Sequence, residues 1–196
     1  MVATQKTALW RMAPLGLVAL LLALGLGAYF RSRAAGEGGL LGREAVGGDE
    51  PTVTYTAPDG TFSFQHPQSW GQTTQPGERI RYTGRDEFIS VAIVATPQPP
   101  LDYARADAGT LVAASPGYQG QAPVAAKVAG TTGAVVAYTW QPLASAVTGK
   151  PVPSAARRYY IPGPGGTLAV LTYSSPTPTY DPAGADDFAN AFKWLR

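Results

Sequence analysis

The 196-residue chain has a formal net charge of +2, no cysteine, 23 glycines and 18 prolines, with 45% hydrophobic and 14% charged residues. That is enough apolar material for one core of short elements and many turns, and the missing thiols exclude disulfides, thiolate metal sites, a cysteine nucleophile and lipoprotein-type acylation. From residue 49 onward ten Lys/Arg face eleven Asp/Glu, so the main domain lacks the surplus positive charge that a nucleic-acid binder uses to neutralise phosphates.

Residues 1–12, with Lys6 and Arg11, read as a short cytoplasmic tail. Residues 13–30, "APLGLVALLLALGLGAYF", are free of charge and long enough for a short membrane-spanning helix. A cleavable signal peptide is the other reading, but the small-x-small site that it requires is crowded by Arg31 and Arg33. The expectation is therefore an uncleaved single-pass anchor in the cytoplasmic membrane, with the bilayer as its partner and the C-terminal part on the extracytoplasmic side. Residues 31–52, rich in glycine and mixed charge, read as a flexible linker.

From residue 53 to 196 the pattern is that of a folded domain. "TVTYTAPDGTFSFQHP" predicts a hairpin turned at Pro58-Asp59-Gly60, with Phe62 and Phe64 on one face. "ERIRYTG" alternates Ile80 and Tyr82 with Arg79 and Arg81, and "FISVAIVAT" is apolar on both faces, as an inner strand is. After Pro97–Pro100, the residues Leu101, Ala104, Ala108, Leu111 and Val112 recur at helical spacing up to Ser115. Four strand-like runs follow: "APVAAKVAG", "GAVVAYTW", "AARRYYIPG" and "GTLAVLTYSS". Asp181-Pro182 then signals an N-cap and first helical position, and Phe188, Phe192 and Leu195 align along a closing helix with Lys193 and Arg196 in its last turn. The expected class is α+β, an antiparallel β-sheet sandwiched between helices and preceded by one N-terminal transmembrane helix.

The segments "YTAPDGTFSFQHPQSW", "KVAGTTGAVVAYTW", "RRYYIPGPGGTLAVLTYSS" and "FANAFKWL", in that order and with their F-x-F-x-x-P-x-x-W and A-G-x-x-G turns, resemble the PsbP-like domain family over about residues 53–196. This family includes the extrinsic oxygen-evolving protein of photosystem II and a Ran-binding nuclear import factor. The resemblance implies an α/β/α sandwich and a non-enzymatic role in binding or stabilising a larger assembly. The chain departs from the photosynthetic members in its anchor and in lacking their lysine-rich face.

The only histidine, His66, has Ser69 and Asp59 nearby in sequence, the residue types of a hydrolytic triad. Pro67 biases His66 towards extended backbone, and Ser69 lacks the G-x-S-x-G context of a nucleophile, so the stretch reads as a strand ending in a turn, with His66 a turn residue. No catalytic residue, cofactor site or metal site is expected. Asp86-Glu87 and Asp186-Asp187 are the domain's acidic pairs; neither fits a calcium loop, and the second is expected near a helix start. The glycines of "IPGPGG" and "AGTTGA" lack the lysine and helix of a phosphate loop and read as turns. Arg157, Arg158, Tyr159 and Tyr160 are the candidate partner-binding residues, since Arg and Tyr are enriched at interface centres. The sequence thus predicts a membrane-anchored accessory protein that binds a membrane or envelope protein. The alternatives are a tethered small-ligand or lipid binder, with a pocket between the sheet and the helix of residues 100–115, and a hydrolase using His66 and Ser69.

Overall fold

The structure, a computed structural model, describes residues 50–142 and 149–196. The expected anchor at residues 13–30 and the linker up to residue 49 lie outside the described residues. Among the described residues no helix is long and apolar enough to cross a membrane. The last three positions assigned to the linker already belong to the folded body: the Glu50 side chain and the Pro51 carbonyl accept from the N–H groups of Ser69 and Gln68, and the first strand opens at Thr52.

Strands β1 (Thr52–Thr56) and β2 (Phe62–Pro67) form the expected antiparallel hairpin, and Gly60 takes φ +68° in its turn. Phe62 and Phe64 are fully buried, and Trp70 lies 6.2 Å from the Phe188 ring. The chain then runs through β3 (Gly71–Thr73), β4 (Ile80–Thr83), β5 (Phe88–Ala95), α1 (Pro100–Ala114), β6 (Gln119–Gly120), β7 (Val124–Val128), β8 (Thr131–Trp140), β9 (Ser154–Pro162), β10 (Thr167–Pro176), α2 (Pro182–Asn190) and β11 (Lys193–Trp194). The two glycine-rich stretches are hairpin turns, as expected. Ala129-Gly130 joins β7 to β8 with both residues at positive φ, and Gly163–Gly166 joins β9 to β10.

The large sheet is antiparallel, in the order β3-β4-β5-β10-β9-β8-β6, with β7 also on β8. Its strands alternate between two cores. On one face Val136, Ala156, Tyr160, Leu168 and Val170 pack under Ala104 and Leu111 of α1. On the other, Tyr159, Ile161, Leu171 and Tyr173 meet α2 and the hairpin aromatics. Strand β5 is internal as expected, although β10 beside it is the more completely buried.

Three expectations are corrected. The large sheet is not covered by helices alone, because its second face is shared between α2 and a small sheet, β1-β2-β11. The closing helix stops at Asn190, and Lys193 and Trp194 pair with Ser63 and Phe62, so Lys193 and Arg196 are not in a helical turn and Leu195 is 49% exposed. The free edge of β2 supplies backbone partners for those last residues while Phe192 stacks on Phe62 at 5.7 Å. Val112 of α1 is also exposed, since the helix buries only Ala104 and Leu111.

Candidate functional site

Strand β9 carries Arg157-Arg158-Tyr159-Tyr160, and its pleat sends alternate side chains to opposite faces. Arg157 Nη1 donates to both carboxylate oxygens of Asp186 on α2, each at 2.6 Å, and the Tyr159 hydroxyl donates to the same carboxylate at 2.7 Å. On the opposite face Arg158 Nη2 lies 3.0 Å from Asp107 of α1, and the Tyr160 hydroxyl donates to that carboxylate at 2.9 Å. Each helix therefore docks on the sheet through one aspartate that accepts from one arginine and one tyrosine. Burial, with the neighbouring aspartate as a further cause, raises the Tyr159 phenol well above its ordinary value; burial does the same to Tyr160.

This corrects the expectation of an exposed binding strand. Tyr159 and Tyr160 are 2% and 0% exposed, and both arginines are committed to aspartates. The alternation is legible in the sequence, whereas the cover on both faces of the strand is not. Asp186-Asp187, expected near a helix start, lie past the first turn of α2, which holds no acid, and Asp186 is spent on β9. Asp181 is the N-cap, as expected, accepting from the Ala183 N–H.

The three triad-type residues are not brought together. Asp59 lies in the turn before β2 and His66 is the fifth residue of that strand, towards its other end. Asp59 accepts from the Thr61 backbone and hydroxyl and pairs with Arg79 at 2.6 Å, and the Thr61 hydrogen bonds hold its carboxyl below the usual range. Ser69 is exposed. His66 is not a turn residue but an inward-facing strand residue, 5% exposed, with its ring stacked 3.5 Å from that of Tyr82. Its Nδ1–H donates to the Pro67 carbonyl at 2.9 Å. Asp86 and Glu87 lie between β4 and β5, where burial and the Asp86 charge raise the Glu87 carboxyl. Among the described residues no group of three or more His, Asp or Glu is placed to hold a metal ion.

A cavity of about 360 Å³ opens between the C-terminal half of α1 and the large sheet, where Thr110, Leu111 and Ala114 stand over Phe88, Tyr138 and Arg158. Burial pushes the Tyr138 phenol up to about 12. The cavity lies between the sheet and the helix where the small-ligand alternative places its pocket.

A large antiparallel sheet with one helix on one face, and a helix plus a small sheet on the other, is the PsbP-like fold. Cyanobacterial PsbP (CyanoP) from Synechocystis sp. PCC 6803 has a similar structure, with a TM-score of 0.50 and 17% identity, over 81% of this chain and 98% of that one. The Ran-binding protein Mog1p of Saccharomyces cerevisiae aligns with a TM-score of 0.49 and 11% identity, over 75% of this chain and 97% of its own. LpqN of Mycobacterium tuberculosis, described as involved in cell envelope biogenesis, aligns with a TM-score of 0.48 and 17% identity, over 76% and 92%. No family model and no curated protein matches the sequence.

Proposed function

We propose that the chain is a membrane-anchored, non-enzymatic accessory protein whose PsbP-like domain binds or stabilises a membrane or envelope protein assembly on the extracytoplasmic side. The observation that carries this reading is how the domain spends its reactive side chains. The histidine is stacked in the core, and the arginines and aspartates of β9, α1 and α2 hold the layers together. A domain built this way offers a shape rather than a reaction centre. The apolar run at residues 13–30 and the glycine-rich segment after it favour a tethered placement, since such a linker lets a domain search some tens of ångströms around its anchor.

Crosslinking in intact membranes followed by mass spectrometry tests the proposal. The expected outcome is a reproducible crosslink from the domain to one membrane or envelope protein, co-purifying in mild detergent. Recovery only as an uncrosslinked monomer overturns it.

A further inference from the structure

The face of the large sheet under α1 carries one row that is polar on every strand from β4 to β9. The register places Arg81 opposite Ser90, Ser90 opposite Thr172, and Thr172 opposite Arg158, so four polar side chains from four adjacent strands form a line across β4, β5, β10 and β9. All four line the cavity beneath α1. Ser90 and Thr172, in the middle of the row, are 4% and 6% exposed, and the two arginines stand at its ends. The row on one side returns to Ala92 and Val170, and the row on the other to Phe88 and Ala156 with the buried Ser174 between them.

Sheet faces covered by a helix are normally filled by apolar side chains, because a buried polar group needs a partner. Here the partners are incomplete. Arg158 gives one donor to Asp107, yet its Nε–H is buried with no acceptor. Arg81 binds Glu78 through Nε and Nη2, at 2.8 and 2.6 Å, which engages two of the five N–H donors of a guanidinium. Its Cζ lies 3.8 Å from the centre of the Phe88 ring, which places the guanidinium over that aromatic. The row therefore presents guanidinium donors with two hydroxyls between them; the buried donor that lacks an acceptor is Arg158 Nε, while the Glu78 carboxylate that pairs with Arg81 also lines the cavity. The volume suits one small molecule, since about 360 Å³ falls at the small end of the roughly 300–1,000 Å³ range of ligand pockets.

From this arrangement we propose that the cavity under α1 binds a small organic carboxylate, its oxygens over the Arg81-Ser90-Thr172-Arg158 row and its apolar body against Phe88, Leu111 and Tyr138. The inference stands apart from the partner-binding reading and concerns a different face from the α2 side. The cavity persists because α1 presents small side chains over it, with Thr110 and Ala114 at its rim, while Ser90, Ala92 and Thr172 leave the floor low.

The test uses the full chain in phosphatidylcholine nanodiscs, probed by saturation-transfer NMR with phenylacetate and octanoate, and with phenylacetamide as the uncharged counterpart. Phenylacetate is expected to bind saturably, to be displaced by octanoate, and to bind about tenfold or more tightly than its amide, as a charge-assisted hydrogen bond implies. Thr172→Val removes one hydroxyl without changing volume, and Ala114→Phe places a ring at the mouth from an exposed helix position. Both are expected to weaken binding several-fold while the thermal unfolding midpoint stays within a few degrees of the parent. No saturable binding of either anion up to about 10 mM overturns the inference. So does equal affinity for acid and amide, or undiminished binding in both folded variants.

Discussion

Asp107 and Asp186 sit on different helices over opposite faces of one sheet, and each accepts from an arginine and a tyrosine of the same four-residue stretch of β9. The two clamps differ in burial. The Asp107 side chain is 9% exposed and that of Asp186 is 47% exposed. Removing Asp107 leaves a largely desolvated guanidinium unpaired, so Asp107→Ala should cost about 3–5 kcal/mol of stability. Water can replace Asp186 more readily, and Asp186→Ala should cost about 1–2 kcal/mol. Urea unfolding of both variants checks the order; an equal or reversed pair of costs would show that burial does not set their weight.

The tyrosines of those clamps predict an alkaline limit. Tyr138 is pushed up to about 12 by burial, and Tyr159 and Tyr160 are raised by the same cause. An unfolded tyrosine releases its proton near pH 10, while the folded one keeps it, so above that pH the folded state binds more protons than the unfolded. Stability is then fully present below about pH 10 and falls as pH rises from about 10 towards 12, by about 1.4 kcal/mol per pH unit for each tyrosine. Urea midpoints between about pH 9 and pH 11 should bend downward only past the ordinary tyrosine value. A profile that stays level through this range would contradict the burial of these rings.

His66 should behave as a packing residue. His66→Ala leaves a void beside Tyr82 and Phe64 and should cost about 2–4 kcal/mol. His66→Phe keeps a flat ring in the stack and should stay within about 1.5 kcal/mol of the parent, with partner crosslinking intact. If His66→Phe were well folded yet lost a measurable hydrolytic activity of the chain, the histidine would be a base after all.

The chain's end separates two structures. With Leu195 on a helical stripe, its truncation would empty part of the core. In the strand arrangement Leu195 is 49% exposed and Phe192 is buried against Phe62. Leu195→Ala should change stability by less than about 0.5 kcal/mol and Phe192→Ala should cost about 3–5 kcal/mol. Comparable losses for the two would favour the helix.

Local chemistry was readable from the residues themselves. The Asp59-Gly60 turn, the inward Phe62 and Phe64, and the Asp181-Pro182 helix start each depend on neighbours in sequence, and each stands as expected. Features that depend on distant partners were not. "FKWLR" fits a helical stripe as well as a strand over so few residues, and only the open edge of β2 decides between them. The burial of Tyr159 and Tyr160 requires knowing that β9 is covered on both sides. The Arg81-Ser90-Thr172-Arg158 row joins residues scattered over 92 positions of chain, 81 to 172, and exists only through strand register.

The edge position of β1 has a mechanical consequence. The backbone of β1 pairs with β2 alone, and its Tyr55 side chain packs against the core. A pull arriving through the chain before Thr52 meets the Glu50 and Pro51 contacts first and then the Thr52–Pro67 pair, and from there the ladder can open one pair at a time. The large sheet shares no backbone hydrogen bond with β1 and meets this path where the Tyr55 ring lies 5.9 Å from that of Tyr82. Under tension the small sheet thus acts as a fuse, releasing extra chain length while the cavity under α1 keeps its shape.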